Sequence, residues 1–429
     1  MSLNDHLCAR QEAGNPISLA LVGAGQMGRG MISQMERMMQ GIRASAAADI
    51  VLDRVISAYE QAGVPRDGII VTTERQAAED ALRNGKRVAT TDALLLTRLS
   101  PIEVIVEASG VPEVGAQVAF EAILNRKHVV MLNVETDVTV GHILWRMADT
   151  AGIVYTVSAG DEPGATKELY DFATAMGFRV VAAGKGKNNP LDREATPKTL
   201  AAEAASKNMN PKMLTAFVDG TKTMVEMTAL ANATGLVPEV RSMHGPVATV
   251  QQLPEIFSLK SQGGILSEEG VVDYAMGSVA PGVFVVVTTD QKAIVEDLQY
   301  LKVGPGPNWV FYRPYHLANL ETPLSAARAV LLGETTIATV NKPVAEAITM
   351  AKKDLMAGEE LDGIGRYTIY GSIEKADIAA EERLLPIGLA QGAILKTDVA
   401  KDDAITYDQV ELDYSSMIVH LRALQDRVS

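Results

Sequence analysis

Three charged residues of one predicted helix are spaced so that their side chains share a face. Asp219, Lys222 and Glu226 stand at positions i, i+3 and i+7 of a single helix predicted over residues 211–234. Their neighbours are mostly apolar, which is typical of a helix that lines a polar cleft. There, a lysine can polarise a carbonyl group and an acid can move the proton that accompanies hydride transfer. The alternative is an exposed ladder of ion pairs.

Adjacent carboxylates, Asp161 and Glu162, lie in a turn flanked by glycine and proline, just before a predicted helix. They either cap that helix or hold a substrate hydroxyl or a divalent cation. If the protein uses a metal, we expect these two residues to contact it.

A glycine-rich loop predicted after a strand over residues 179–183 carries Lys185, Lys187 and Asn188. Glycines beside lysines let a phosphate group approach closely, so we predict a phosphate-binding loop. Solvated surface lysines are the alternative. His244, in a loop over 241–246, is the histidine most expected to take part in catalysis or substrate binding. Residues 313–317 offer a second cationic anchor.

The elements that must position these groups begin with a glycine-rich turn. The apolar run 17–22 predicts a buried parallel strand, and Gly23, Gly25 and Gly28 form the pattern G-x-G-x-x-G before a predicted helix. Such a turn places backbone N–H groups and the helix dipole against a dinucleotide pyrophosphate. Asp49 follows a second predicted strand, 42–47, where an acid would bond the ribose hydroxyls and repel a 2′-phosphate. We therefore expect NAD rather than NADP, although Asp49 would also suit a helix cap.

Strands predicted at 86–89, 103–107, 128–132 and 153–157 alternate with helices, which indicates a doubly wound parallel sheet. In that architecture the segments after the strands face the cofactor, unless they serve only as turns. The residues predicted to bind the cofactor are Gly23, Gly25, Gln26, Met27, Gly28, Asp49, Ser109, Gly110 and Asn133.

Composition excludes several classes of partner. The 429 residues carry 39 basic and 53 acidic side chains, a net charge of −14. No long basic stripe is present, so nucleic acid and anionic membranes are poor partners. The single cysteine, Cys8, and the absence of a signal-peptide pattern lead us to expect a cytoplasmic protein.

We predict an α/β protein of three domains. These are a Rossmann dinucleotide-binding domain over 1–157, a central α+β substrate-binding and dimerisation domain over 158–340, and a β-rich C-terminal module over 341–429. Residues 351–362 resemble residues 400–408, and this half-repeat predicts a small, compact β-rich module. It carries no catalytic constellation, and a regulatory or interface role is as well supported as any other. We expect a homodimer or a higher homo-oligomer.

The motifs GAGQMG, SAGDEPG, AGKGKNNP, KNMNP, DGTKTMVEM, ANATGLVP and MHGP together resemble a known family over nearly the whole chain. The chain is similar to the homoserine-dehydrogenase-like oxidoreductases with an SAF-type C-terminal module, which include the DXR-like (type II) 1-deoxy-D-xylulose 5-phosphate reductoisomerases. The resemblance implies a substrate held between the Rossmann and central domains. The matching positions are Asp161, Glu162, Lys185, Lys187, Asn188, Lys207, Asn210, Asp219, Lys222, Glu226 and His244.

Two departures refine this expectation. Homoserine dehydrogenases carry an Asn-Lys pair where this chain has Asn133-Val134, so a plain homoserine dehydrogenase is not expected. The reductoisomerases use NADPH and carry arginines where this chain has Asp49-Ile50. The chain is thus similar either to the reductoisomerases or to a close paralogue that uses NAD.

The function expected is an NAD(P)-dependent oxidoreductase acting on a small phosphorylated keto-sugar, with rearrangement plus hydride transfer. Lys222, Asp219, Glu226 and Asp161 are the predicted catalytic residues. Dehydrogenation of a hydroxy acid or polyol phosphate without rearrangement is the alternative reaction. A cofactor-binding redox sensor is the alternative of another class.

Overall fold

The computed structural model describes residues 1–428. Its strands are β1 (Ile17–Val22), β2 (Ile42–Ala48), β3 (Ile69–Val71), β4 (Arg87–Thr90), β5 (Val104–Glu107), β6 (His128–Met131), β7 (Tyr155–Val157), β8 (Arg179–Gly186), β9 (Val247–Ala248), β10 (Val271–Gly277), β11 (Val283–Thr288), β12 (Asn308–Arg313), β13 (Ala345–Ala351), β14 (Ile369–Lys375), β15 (Ile394–Leu395) and β16 (Val410–Glu411).

The helices are α1 (Leu3–Glu12), α2 (Gln26–Arg37), α3 (Leu52–Gln61), α4 (Arg75–Arg83), α5 (Ala93–Arg98), α6 (Pro112–Leu124), α7 (Val134–Ala151), α8 (Glu162–Ala175), α9 (Ala201–Ser206), α10 (Pro211–Val218), α11 (Thr221–Thr234), α12 (Leu253–Ile256), α13 (Lys292–Tyr300), α14 (Ala318–Leu332), α15 (Ala376–Glu381) and α16 (Met417–Val428). Short 3₁₀ turns lie at Arg66–Gly68, Val250–Gln252, Lys260–Gln262, Ile387–Leu389 and Tyr407–Gln409.

The chain forms two compact units, each built from separate stretches of sequence. The first unit contains residues 1–161, 317–340 and 420–428, and the second contains 162–316 and 341–419. The boundaries predicted from sequence, after residues 157 and 340, differ from these units in three respects. Residues 420–428, which were predicted as part of the C-terminal domain, belong to the first unit. Helix α14 belongs to the first unit, and the C-terminal module groups with the central segment rather than standing apart.

The first unit is organised around a seven-stranded sheet in the order β3-β4-β2-β1-β5-β6-β7. All of its neighbouring strands are parallel. The predicted doubly wound parallel sheet is therefore confirmed. The strand order reverses between β1 and β5, and ligands of such sheets bind outside the carboxyl ends of the strands at this point.

The core of the first unit lies between this sheet and its helices. Leu19 and Leu21 of β1 are fully buried with Met31 of α2. Ala326 and Ala327 of α14 pack into the same cluster, although they come from much later in the sequence. The methionines of α2 thus serve as apolar packing residues, which their flexible side chains suit.

The second unit contains a mixed five-stranded sheet in the order β12-β11-β8-β10-β9. Strand β8 runs parallel to β10 and antiparallel to β11. Helices α8 and α11 pack against each other, and both pack on this sheet. Strands β8, β10 and helix α11 carry the polar groups described below, so their buried apolar residues hold those groups in place.

The C-terminal module, defined here as residues 341–419, consists of small antiparallel pairs, β13 with β14 and β15 with β16. Each of its two similar segments forms an antiparallel bridge with a residue adjacent to the other segment, Leu355 with Val399 and Ala404 with Met350. The β-rich character predicted from the half-repeat is observed. The module packs onto α11 through β13 and β14.

Three local predictions need correction. The single helix predicted over 211–234 is two helices, because the chain turns at Gly220 with a φ of +90° that few residues other than glycine adopt. Strand β8 continues through Gly186 and therefore includes Lys185, which was assigned to a loop. Helix α7 begins at Val134, so Asn133 is its N-cap rather than a loop residue.

Among the described residues, none of the helices is both long and apolar enough to cross a membrane.

Candidate active site

Two acids and two lysines of the second unit come together as a compact group, here called the acid–base cluster. Glu162 opens α8, Lys185 lies on β8, and Lys222 and Glu226 lie on α11. Lys185 Nζ is 2.5 Å from Glu162 Oε1 and donates to Glu226 Oε2 as well. Lys222 Nζ lies 3.8 Å from Glu226 Oε1, across one helical turn. The structure therefore joins four residues that the sequence placed in three separate motifs.

Glycines in β8 allow the surrounding backbone to approach Lys185 closely. A Cβ atom at Gly184 would lie 1.6 Å from Asp273 O, and one at Gly186 would lie 2.1 Å from Ala280 N. Any side chain at either position would force the neighbouring strand or turn away. The glycines are therefore needed for tight packing within the sheet, and they fix the position of the lysine between them.

The charge state of Lys185 is set by its two acidic partners. Burial acts to lower the pKa of Lys185, but Glu162 and Glu226 outweigh it, so the pKa is raised. The ammonium group therefore stays charged and cannot act as a base near neutral pH. Its role in this geometry is to hold both carboxylates in place.

Lys222 is the more accessible lysine of the cluster. Its side chain is 17% exposed, compared with 7% for Lys185 and 2% for Glu226. A substrate carbonyl approaching from solvent would meet Lys222 before the buried ammonium. This geometry is suited to carbonyl polarisation by Lys222 with Glu226 beside it as a proton carrier.

His316 extends the acid–base cluster on the side of Glu162. Its Nε2 atom lies 3.5 Å from Glu162 Oε1, and its Nδ1 atom bonds Pro281 O at 2.8 Å. The sequence pointed to residues 313–317 only as a cationic anchor. Arg313 itself pairs with Glu168 at 3.0 Å.

Lys187 is buried immediately after β8. Its Nζ atom donates to Asn189 O at 2.7 Å and to Phe217 O at 2.9 Å. Burial and then the positive charge of Lys185 lower the pKa of Lys187 to about 8. The side chain is therefore held by two backbone carbonyl groups, and its part in binding a phosphate stays a prediction.

Other predicted substrate-binding residues lie at exposed or structural positions. Asn188 and Lys207 are exposed, and Lys207 pairs with Glu203 at 2.6 Å. Asn210 is the N-cap of α10 and accepts a bond from Lys212 N at 2.9 Å. Their part in substrate binding stays a prediction.

His244 is held between two carboxylates. Its Nδ1 atom is 2.8 Å from Asp273 Oδ2, and its Nε2 atom is 3.1 Å from Glu239 Oε2. The hydrogen bond with Asp273 raises the pKa of His244. The bond between His244 Nδ1 and Asp273 ties this loop to β10, a role that sequence reasoning missed because Asp273 gives no local signal.

Asp219 occupies a different environment from the acid–base cluster. Its Oδ2 atom accepts from Lys352 Nζ at 2.8 Å, and its Oδ1 atom accepts from Thr221 N at 3.0 Å. Burial raises its pKa, although Lys352 acts in the opposite direction. Because the helix breaks at Gly220, Asp219 does not share a face with Lys222 and Glu226. Its predicted catalytic role is untested, and this geometry favours a structural one.

Metal binding was predicted at Asp161 and Glu162. Glu162 and Glu226 already share the ammonium group of Lys185, which balances their charge. A divalent cation at these carboxylates would compete with that ammonium. Asp161, also buried, is the last residue of its segment in the first unit. Metal binding at Asp161 and Glu162 stays a prediction, and no catalytic step proposed below involves a metal.

In the first unit, the glycine turn between β1 and α2 has the form that a dinucleotide needs. Gly23 has a φ of +99°, and a Cβ atom at Gly28 would lie 2.0 Å from Gly23 O. A Cβ atom at Gly25, by contrast, would meet nothing within 4 Å. Gly25 caps α2 without a side-chain bond, which leaves the helix N–H groups for a pyrophosphate. Gln26 and Met27 form the first turn of that helix.

Asp49 follows β2 and supports the same turn. Its Oδ2 atom accepts from Ala24 N at 2.9 Å, and its Oδ1 atom accepts from Val51 N at 2.9 Å. The carboxylate thus lies beside the glycine turn, where the adenosine ribose binds in this architecture.

The carboxyl end of β5 carries an acid that sequence reasoning did not single out. Glu107 is fully buried, its Oε1 atom accepts from Ser109 N at 2.9 Å, and its Oε2 atom has no hydrogen-bond partner among the described residues. Burial raises the pKa of Glu107 to about 7, against hydrogen bonds from Ser109 and Asn133. Ser109 and Gly110 lie in the loop that follows, and Asn133 donates to Val111 O at 3.1 Å. These residues therefore follow β5 and β6 at the carboxyl end of the sheet, next to the reversal of strand order between β1 and β5.

Comparisons with known proteins agree with this geometry. Residues 160–322 match the family model described as oxidoreductase DRL, catalytic domain. That segment contains every residue of the acid–base cluster. No match was found among curated protein sequences.

Solved structures to which this chain is similar include two dehydrogenases. The homoserine dehydrogenase from Thiobacillus denitrificans is 15% identical, with 91% of this chain and 98% of that chain covered and a TM-score of 0.44. The scyllo-inositol dehydrogenase from Lactobacillus casei, solved with NAD(H) and scyllo-inositol, is 10% identical, with 76% and 92% covered and a TM-score of 0.41. The Rossmann-like unit and the matched catalytic domain identify the protein as an oxidoreductase enzyme.

Proposed function

We propose that this enzyme is an NAD(P)-dependent oxidoreductase of a small phosphorylated keto-sugar. The observation that carries the proposal is the acid–base cluster, in which a partly exposed lysine stands beside a buried glutamate, and a second lysine holds that glutamate in place. This arrangement suits a substrate whose carbonyl becomes negatively charged as it is reduced. The match of residues 160–322 to an oxidoreductase catalytic domain supports it.

The first unit would bind the cofactor at the glycine turn and Asp49. A bound nicotinamide would supply the hydride for carbonyl reduction. Asp49 favours NAD, because its carboxylate would repel the 2′-phosphate of NADP. The open space at Gly25 would let the pyrophosphate approach the backbone.

The second unit would bind and activate the substrate. Lys222 polarises the carbonyl oxygen, and Glu226 or Glu162 moves the proton that accompanies reduction. Lys187, whose pKa is lowered mainly by burial, would bind the phosphate group in its protonated form. Lys185 orients the two carboxylates without exchanging a proton.

A rearrangement before reduction is part of the proposal, on the strength of the resemblance to the type II reductoisomerases. Removal of a hydroxyl proton by a carboxylate would let one carbon–carbon bond break and another form, giving an aldehyde. That step is redox-neutral, and one hydride and one proton then reduce the aldehyde. Glu226 and Glu162 are the bases available next to Lys222.

The experiment is turnover with 1-deoxy-D-xylulose 5-phosphate and either NADH or NADPH, with the product's carbon skeleton determined by NMR. A branched skeleton would support the full proposal. An unrearranged alcohol would show simple dehydrogenation instead. Cofactor binding without turnover across a panel of phosphorylated sugars would overturn the proposal in favour of a redox sensor.

A further inference from the structure

Lys352, at the end of β13, connects the C-terminal module to the start of α11. Its side chain is 3% exposed, and its Nζ atom donates to Asp219 Oδ2 at 2.8 Å. The same atom donates to Ala195 O at 2.9 Å and to Arg366 O at 3.0 Å. All three N–H donors of this ammonium group are therefore used, which is what a buried lysine requires.

The contact at Asp219 reaches the first turn of α11. Asp219 bonds the amide of Thr221, and Gly371 of β14 donates its N–H to Thr221 Oγ1 at 2.8 Å. A Cβ atom at Gly371 would lie 2.9 Å from Thr221 Cγ2, so the module packs tightly here. Lys222 is the next residue along the helix. The module therefore holds the turn that carries the partly exposed lysine of the acid–base cluster.

The contact at Ala195 reaches the loop that follows Lys187. In that loop the Arg193 guanidinium lies 5.4 Å from the centre of the Tyr370 ring, and Glu194 pairs with Lys401. Tyr370 and Lys401 both belong to the C-terminal module. One face of the module thus contacts the segments next to Lys187, a predicted substrate-binding residue, and Lys222, a predicted catalytic residue.

We propose that Lys352 is a positioning residue, through which the C-terminal module fixes the start of α11 and the loop after Lys187. The break at Gly220 explains why such a residue is needed. In an uninterrupted helix, the position of α10 would determine the position of α11. Because the chain turns at Gly220, other contacts must hold the start of α11. The effect of Lys352 on turnover rests on the proposed function, whereas its effect on the order of these two segments does not.

A purely structural ion pair is the competing explanation. In that case, replacing both charges with neutral groups of similar shape would restore stability and turnover together. If Lys352 instead positions the start of α11 and the loop after Lys187, the neutral pair would restore stability without restoring turnover. A small displacement of a catalytic group is enough to lower a rate by on the order of 100-fold.

The test compares Lys352→Met, Lys352→Arg and the double variant Lys352→Met with Asp219→Asn in the full chain. Lys353→Met is the matched control, because Lys353 is the adjacent residue, is exposed and pairs only locally with Glu359. Turnover is measured with 1-deoxy-D-xylulose 5-phosphate, and hydrogen exchange is measured for the backbone amides of residues 191–196 and 221–224. The double variant keeps the test valid if Lys352→Met does not fold.

We expect kcat to fall by on the order of 10–100-fold in Lys352→Met and in the double variant. We also expect an unchanged shape of the pH–rate profile in Lys352→Met, an unchanged KM for the cofactor and partial recovery in Lys352→Arg. Both segments should exchange faster in the double variant, while exchange in the first unit stays the same. Wild-type kcat and wild-type exchange in a stable double variant would overturn the inference. If the wild type does not turn over this substrate, the proposed function fails, and the exchange data alone decide the positioning role.

Discussion

Lys185 and Glu226 lie 41 positions apart in the sequence, yet the ammonium group of the first donates directly to the carboxylate of the second. Glu162 completes the contact from another helix. Neither carboxylate would be stable at this depth without the lysine, because two buried like charges repel. The predictions below follow from this contact and from the groups around it.

Replacing Lys222 with methionine should abolish most turnover while leaving the cofactor affinity near normal. The variant removes the group that polarises the carbonyl, which corresponds to a loss of about 100-fold or more in kcat. NADH titration by fluorescence and steady-state kinetics measure the two quantities. Lys292→Met, an exposed lysine at the start of α13, is the control. Unchanged turnover would remove Lys222 from the mechanism.

Replacing Lys185 with methionine should destabilise the protein. Two buried carboxylates would lose their shared counter-charge, at a cost of about 3–5 kcal/mol in the free energy of unfolding. Urea denaturation measures this loss. Adding Glu162→Gln to the same variant should recover part of it, because only one buried acid then remains. A Lys185→Met protein as stable as the wild type would contradict the assigned geometry.

Replacing Asp49 with asparagine should shift cofactor preference towards NADPH. The variant loses the negative charge that repels a 2′-phosphate, and NADH should bind about 10-fold more weakly because hydrogen bonds to a charged group are lost. Dissociation constants for NADH and NADPH give the ratio directly. Asp53→Asn, a nearby acid in α3, is the control. An unaltered ratio would exclude Asp49 from cofactor selection.

Glu107 should make the protein less stable as the pH rises. Its pKa is raised from 4.5 to about 7, so the folded state retains a proton that the unfolded state has released. The stabilising contribution is complete below pH 4.5, decreases between 4.5 and about 7, and amounts to about 3 kcal/mol. Glu107→Gln, which mimics the protonated acid, should be more stable than the wild type at pH 8 and equal to it at pH 4.5. Parallel stability curves for the two proteins would contradict this assignment.

His244 should contribute a second pH dependence, in the same direction and at higher pH. Its pKa is raised above 6.5 by the hydrogen bond with Asp273, so its stabilisation is complete below pH 6.5 and is lost as the pH rises through the folded-state pKa. His244→Gln should lack this loss. Thermal unfolding midpoints of the two proteins between pH 6 and 9 measure it, and identical slopes would show that folding does not raise the pKa of His244.

The sequence predicted those features whose signals are local. The apolar strand before Gly23 and the spacing of three glycines were enough to predict the parallel sheet and its turn, because each depends on neighbouring residues. The spacing of Lys222 and Glu226 likewise predicted their contact within one helix.

Features that depend on distant partners were missed. Lys352 and Asp219 are 133 positions apart, and nothing near either residue points to the other. The glycines around Lys185 predict a loop, whereas they lie within β8. They are glycines because Asp273 and Ala280 leave no room for a side chain. The helix predicted over 211–234 includes Gly220 as an ordinary helix residue, because the sequence gives no sign of its positive φ.

The division of the first unit among three stretches of sequence has a consequence for its synthesis. Helix α14, which completes the core beside β1, and residues 420–428, which bond α7 through Gln425, emerge from the ribosome long after the glycine turn. The first unit therefore cannot reach its final packing until residues 420–428 have been translated. A fragment that stops after β7 should expose apolar surface that the complete protein buries, and it would be prone to aggregation.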